Sequence, residues 1–211
     1  MVNVERTDFF PTCVYKFKHE FLEKELYKMV KHIEDNSLSE HNGHLIKRTG
    51  SQTQDELHKI DTFSNLTNTI LKVTRYILDE QEYMGEIEIT NMWGNILSLI
   101  RPESQRAHPP HTHSNNFLSG VFYLRASSQT APIQFFDPRQ QANVLKPRKS
   151  GFNILNSDMG QFNSETGYGV VFPAWLQHWV PETRDERISI AWNILVRGEY
   201  GEPNTLQNAT I

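Results

Sequence analysis

The chain has 211 residues, a formal net charge of −4, 37% hydrophobic residues and 22% charged residues. These proportions exclude a disordered polymer and suit one globular domain, 1–211, because all-β domains of roughly 200–250 residues often stay undivided. The densest basic run, Lys146-Pro147-Arg148-Lys149, is too short for a duplex nucleic-acid face, and no stretch approaches the roughly 18 apolar residues of a membrane span.

The opening MVNVERTDFFP is acidic early and has no long apolar run, so no signal peptide is expected. Cys13 is the single cysteine and cannot form an internal disulfide, which makes a cytoplasmic location the default. Val14-Tyr15-Lys16-Phe17 reads as a strand. Residues 20–34 read as a helix, with Leu22, Leu26, Met29, Val30 and Ile33 at helical spacing. Residues 36–53 are polar and contain glycine, which predicts a loop. A longer helix is predicted over 55–81. There Leu57, Ile60, Phe63, Leu66, Ile70, Val73 and Ile77 form an apolar stripe that would dock on a sheet.

After Tyr83 short runs rich in β-branched and aromatic residues alternate with turn signals. Strands are expected near 86–101, 117–125, 132–136, 151–156, 169–173, 178–181 and 187–197. Helical support over about 18–82, followed by a β-rich region over about 86–198, predicts a mainly β fold with N-terminal helices: a jelly roll, or double-stranded β-helix, with two supporting helices.

The chemistry is concentrated in His108-Pro109-Pro110-His111-Thr112-His113, just before the apolar run that starts at Phe117. His111 and His113 are two residues apart, so on an extended segment their imidazoles point the same way and can meet one metal ion. A third ligand must come from elsewhere, and His178, in Phe172-Pro173-Ala174-Trp175-Leu176-Gln177-His178-Trp179, is the best candidate. An H-x-H pair alone is a weak signal, since most histidines are surface or satisfied core residues. Its context next to an apolar strand strengthens it. The aromatic flanks Trp175 and Trp179 read as core packing.

Arg187-Ile188-Ser189-Ile190-Ala191-Trp192 alternates like a half-buried strand, with Arg187, Ser189 and Ala191 on one face. An arginine and a serine facing a barrel interior are costly unless an anion is bound there, and a guanidinium grips a carboxylate with paired hydrogen bonds. A surface ion pair of Arg187 with Asp185 or Glu186 is an equal reading at this point.

Together, H-x-H, S-G-V-F-Y-L, F-x-D-P-R, F-P-x-W-L-x-H-x-V and R-I-S-I-x-x-N over roughly residues 90–197 resemble a branch of the 2-oxoglutarate/Fe(II) oxygenase superfamily composed of small bacterial and phage proteins. The segment from Phe10 to Phe17 resembles it more weakly. The resemblance implies Fe(II), 2-oxoglutarate as co-substrate and O2, with ascorbate as a compatible reductant. It implies hydroxylation of an unidentified substrate with release of succinate and carbon dioxide, in the host cytoplasm if the chain is of phage origin. His111 and His178 would be metal ligands, Arg187 with Ser189 would hold the far carboxylate of 2-oxoglutarate, and Asn95 and Tyr123 are further co-substrate candidates. Arg139, in Asp137-Pro138-Arg139, would contact substrate. A two-fold homodimer is the assembly to expect if subunits associate.

The usual ligand set of this superfamily is two histidines and a carboxylate. Here the middle position is His113, so the expected set is His111, His113 and His178, with Asp137 a distant alternative. That departure keeps a second reading open: a cupin-like three-histidine dioxygenase or isomerase that uses no 2-oxoglutarate. A third is a non-catalytic jelly-roll binding module, because the fold alone does not decide function.

Overall fold

The computed structural model describes residues 2–41, 44–47, 51–139 and 144–211. In chain order they form β1 (Tyr15–Lys18), α1 (Glu23–Asn36), β2 (Leu38–His41), β3 (His44–Lys47), α2 (Ser64–Glu80), β4 (Glu86–Leu97), β5 (His108–His111), β6 (Leu118–Arg125), β7 (Ile133–Phe136), β8 (Met159–Phe162), β9 (Tyr168–Pro173), β10 (His178–Val180), β11 (Arg187–Arg197), β12 (Glu199–Tyr200) and β13 (Ala209–Thr210).

A five-stranded sheet runs β1-β9-β6-β11-β4 and a four-stranded sheet runs β5-β10-β7-β8. Their ladders are antiparallel. This is the mainly β jelly-roll architecture, with two supporting helices, that the sequence predicts.

The alternation of β11 divides the core in two. Ile188, Ile190, Trp192 and Ile194 face the helices and pack with Met29, Ile33, Leu66, Ile70 and Ile77. Between the sheets lies a second cluster that includes Val121, Tyr123, Ile133, Phe135 and Phe172. Gly94 and Gly120 permit the close packing on the helix side. A Cβ at Gly94 would lie 2.6 Å from Ile33, and one at Gly120 would lie 2.2 Å from the Trp192 ring.

Several boundaries differ from expectation. α1 starts at Glu23 rather than residue 20, where the Leu22 N–H donates to the Glu25 carboxylate (3.1 Å), half of a capping box. The stripe from residue 55 begins as two 3₁₀ turns, Leu57–Lys59 and Asp61–Phe63, separated by Ile60 in an extended conformation (φ −102°, ψ 128°). Leu57 and Phe63 are buried all the same, because a spacing of three suits a 3₁₀ turn as well as an α-helix. Within the predicted loop 36–53, Asn36 closes α1 and β2 pairs with β3; the rest of that prediction falls partly outside the described residues.

The predicted strand 151–156 is a turn, and the strand of this region is β8. Asn153 and Asn156 win the backbone there. The Leu155 N–H donates to Asn153 Oδ1 (2.8 Å) and the Asn153 N–H to Asn156 Oδ1 (2.9 Å), leaving Phe152 and Ile154 exposed. Trp175, read as core packing, is also exposed, because it sits in the turn after β9.

Candidate metal centre

His111 and His178 stand opposite each other in the β5–β10 ladder, and His113 follows on the loop to β6, its backbone N–H donating to the Ala174 carbonyl (2.9 Å). One ring nitrogen from each histidine lies within 4.8 Å of the other two. The Nε2 atoms of His113 and His178 are 3.3 Å apart.

The backbone sets two of the tautomers. His111 Nδ1 is 2.7 Å from the Pro109 carbonyl oxygen and His178 Nδ1 is 2.9 Å from that of Leu176. A carbonyl only accepts, so each Nδ1 carries the hydrogen and the neutral ring keeps its Nε2 lone pair free. That is the state a metal ligand needs, and hydrogen bonds of this kind orient ligand rings in metalloproteins.

Burial acts in the same direction. It pushes His178 and His113 down to about 4, with the neighbouring imidazoles adding to the effect. His108 falls to about 3, from burial first and then the charge of Arg187. At neutral pH these rings are uncharged and able to donate lone pairs. Three convergent imidazoles of this kind form a facial three-histidine site compatible with Fe(II).

The three histidines line a cavity of about 260 Å³ together with Arg187, Ser189 and Asn95. Arg187 is only 1% exposed. Its Nε donates to Ser164 Oγ (3.2 Å) and a terminal nitrogen donates to Ser189 Oγ (2.9 Å). Its guanidinium carbon lies 4.8 Å from the centre of the Tyr123 ring. Among the described residues no carboxylate pairs with it. The surface ion pairs left open by the sequence are formed otherwise: Glu186 pairs with Arg125, and Asp185 accepts from Ser127. Asn95, Ser189 and Tyr123 share one row across β4, β11 and β6. Tyr123 is buried beneath Arg187, and its hydroxyl has no hydrogen-bond partner among the described residues.

Two candidates lie elsewhere. Arg139 faces a separate, larger groove and forms a two-point pair with Asp137 (3.0 and 2.8 Å). That pairing holds the Asp137 carboxyl below its usual range and occupies the one carboxylate considered as a ligand.

Among the cavity residues to which the sequence assigns no role, three bear on the site. Trp93 lies two positions before Asn95 on the same strand face, and its ring is 6.0 Å from that of His113. Alternation from Asn95 would have found it. His108 was visible as a third histidine but without a reason to face inward. Gln52 reaches the site through a bridge to β4 and donates to Asn95 Oδ1 (3.0 Å), a contact with no local signal.

Residues 91–193 match a family model described as "Putative 2OG-Fe(II) oxygenase". No curated protein matches the chain in sequence. Among solved structures, a Pseudomonas putida prolyl-4-hydroxylase is similar at 11% identity and TM-score 0.58, covering 86% of this chain and 92% of that one. A 2OG-Fe(II) oxygenase family oxidoreductase from Burkholderia pseudomallei is similar at 14% identity and TM-score 0.57, covering 86% and 85%. The non-haem alpha-ketoglutarate-dependent epimerase SnoN of nogalamycin biosynthesis is similar at 10% identity and TM-score 0.60, covering 92% and 83%. At these identities the likeness is one of fold. The family match covers just under half of the chain and spans the three histidines, Arg187 and Ser189, the residues that the jelly roll brings around one cavity.

Proposed function

We propose that this chain is an Fe(II)- and 2-oxoglutarate-dependent oxygenase that hydroxylates its substrate and releases succinate and carbon dioxide. His111, His113 and His178 would hold the iron, and Arg187 with Ser189 would hold the far carboxylate of 2-oxoglutarate. The observation that carries this reading is the buried Arg187 guanidinium, which shares a cavity with the three histidines and, among the described residues, has no carboxylate beside it. A buried cation is costly unless paired. A guanidinium has five N–H donors and two are committed to hydroxyls, which leaves donors for an anion from outside. The unpartnered Tyr123 hydroxyl nearby fits a site that is completed by a ligand.

Bound iron supplies the activation of O2 that couples loss of carbon dioxide from the co-substrate to oxidation of a C–H bond. The chain contributes position and exclusion of water. Arg187 and Ser189 fix one end of the diacid, the two carbonyl-tethered imidazoles keep their lone pairs aimed into the cavity, and the apolar walls at Val121, Ile133 and Phe172 keep bulk water out.

The imidazole of His113 at the position usually held by a carboxylate favours a second reading, a three-histidine metal enzyme with no need for 2-oxoglutarate. Succinate formation separates the two. The first reading expects succinate from 2-oxoglutarate in the presence of Fe(II) and O2, and its loss in His178→Ala. Succinate at the wild-type rate in that variant would reject the site, and metal-dependent activity indifferent to 2-oxoglutarate would establish the second reading.

A further inference from the structure

β5 and β10 fall out of step by one residue. His178 stands opposite His111 and Val180 opposite His108, so three steps along β5 match two along β10. This is a β-bulge at Pro109-Pro110, and prolines are tolerated there because β5 is an edge strand. Simple alternation would point His108 and His111 to opposite faces. The extra residue turns His108 back inward, and it lines the same cavity as the three-histidine group.

The packing also sets its depth. Arg187 is opposite Leu97 on β4, Leu97 clusters with Val180, and Val180 is paired with His108. His108 therefore belongs to the level of Arg187, and His111 to that of His178. Two strand residues separate these levels, about 7 Å, comparable to the length of a five-carbon diacid. Among the described residues, no hydrogen bond reaches either ring nitrogen of His108.

We propose that His108 is a second residue holding the far carboxylate of the co-substrate, donating a ring N–H to it beside the Arg187 guanidinium. This rests on the 2-oxoglutarate reading above. A carboxylate has about four lone-pair sites, more than the free edge of Arg187 fills. An uncharged imidazole adds a donor there without burying a second positive charge against the first. The consequence is selectivity: the bulge makes the deep end of the cavity a two-donor carboxylate site, which favours a diacid over a 2-oxo acid that ends in a methyl group.

The test is anaerobic titration calorimetry of the Fe(II)-loaded protein with 2-oxoglutarate and with 2-oxopentanoate, which has a methyl group in place of the far carboxylate. Removing one hydrogen bond to a charged group should make His108→Leu weaken 2-oxoglutarate binding by about tenfold or more. It should change 2-oxopentanoate binding by no more than about twofold. His108→Gln, which keeps an N–H donor, should recover most of the selectivity, and His108→Phe serves as the donor-free variant if the leucine form folds poorly. Equal weakening of both acids would overturn the proposal and leave His108 a packing residue. So would unchanged 2-oxoglutarate binding in the donor-free variants when Arg187→Ala loses selectivity, an outcome that keeps the 2-oxoglutarate reading. Wild-type protein that does not distinguish the two acids would overturn both.

Discussion

His111 and His178 face each other across one rung of the β5–β10 ladder, and each gives its Nδ1–H to the backbone carbonyl two residues earlier in the chain, Pro109 and Leu176. The same local geometry occurs twice on opposed segments and leaves two Nε2 lone pairs pointing into one cavity. His113 has no such tether among the described residues; its ring is placed by the loop after β5 and by Trp93.

This asymmetry gives a graded expectation for the ligands. His111→Ala and His178→Ala should lose iron nearly completely, measured as metal per chain after anaerobic reconstitution and desalting. His113→Asp, which restores a carboxylate at the middle position, should retain iron, whereas His113→Leu should weaken binding by at least about tenfold, the lower end of what removing a supporting group alone costs. Full occupancy in His113→Leu would show that two imidazoles suffice.

Arg187 should govern the co-substrate and leave the metal alone. Two hydrogen bonds to a charged group are worth on the order of 3 kcal/mol or more together, so Arg187→Ala should raise the 2-oxoglutarate concentration needed for half-maximal succinate release by about a hundredfold. Iron content should be unchanged. Arg187→Lys should recover only part of the loss, since a point charge lacks the paired geometry of a guanidinium. Loss of iron in step with loss of 2-oxoglutarate binding would contradict separate roles.

The metal-free protein should lose stability as the pH falls. His108, His113 and His178 have folded-state values of about 3, 4 and 4, against about 6.5 for an unfolded histidine. Above pH 6.5 both states are neutral and the shift has no effect. Below it the unfolded chain takes up protons first, and the fold weakens progressively until the pH reaches the folded values. Urea midpoints of the metal-free protein should therefore fall between pH 7.5 and pH 5. A triple variant with Gln at 108, 113 and 178 should show a smaller fall. An equal fall in both would place the acid sensitivity elsewhere.

The glycines under the helices should be sensitive in a predictable order. Gly94→Ala would press a methyl group on the flexible Ile33 side chain, while Gly120→Ala would press on the rigid Trp192 ring. Overpacking of a tight core costs about 1–3 kcal/mol, so both should lower the urea midpoint, Gly120→Ala more. A midpoint for Gly120→Ala within error of wild type would mean that Trp192 has room to move.

Much of this was legible in the chain itself. Alternation in Arg187 to Trp192 and the apolar stripe of α2 follow from periodicity, and both faces of β11 pack as those periods require. The H-x-H pair and His178 were readable as residue types, but their meeting depends on pairing between distant strands, which the resemblance suggested and local sequence did not. The apolar content of 151–156 does not reveal the turn at Asn153, because there the asparagine side chains compete for the backbone. His108 was missed because a bulge breaks the alternation on which the strand reading relied. Gln52 was missed because an isolated bridge leaves no periodic trace.

The most direct test of the central claim is anomalous diffraction at the iron edge, from a crystal of the wild-type chain grown without oxygen in the presence of Fe(II) and 2-oxoglutarate. The account predicts one peak per chain, within bonding distance of His111, His113 and His178, with the diacid reaching from it to Arg187. A peak bonded to other residues, or a diacid that leaves Arg187 untouched, would contradict it.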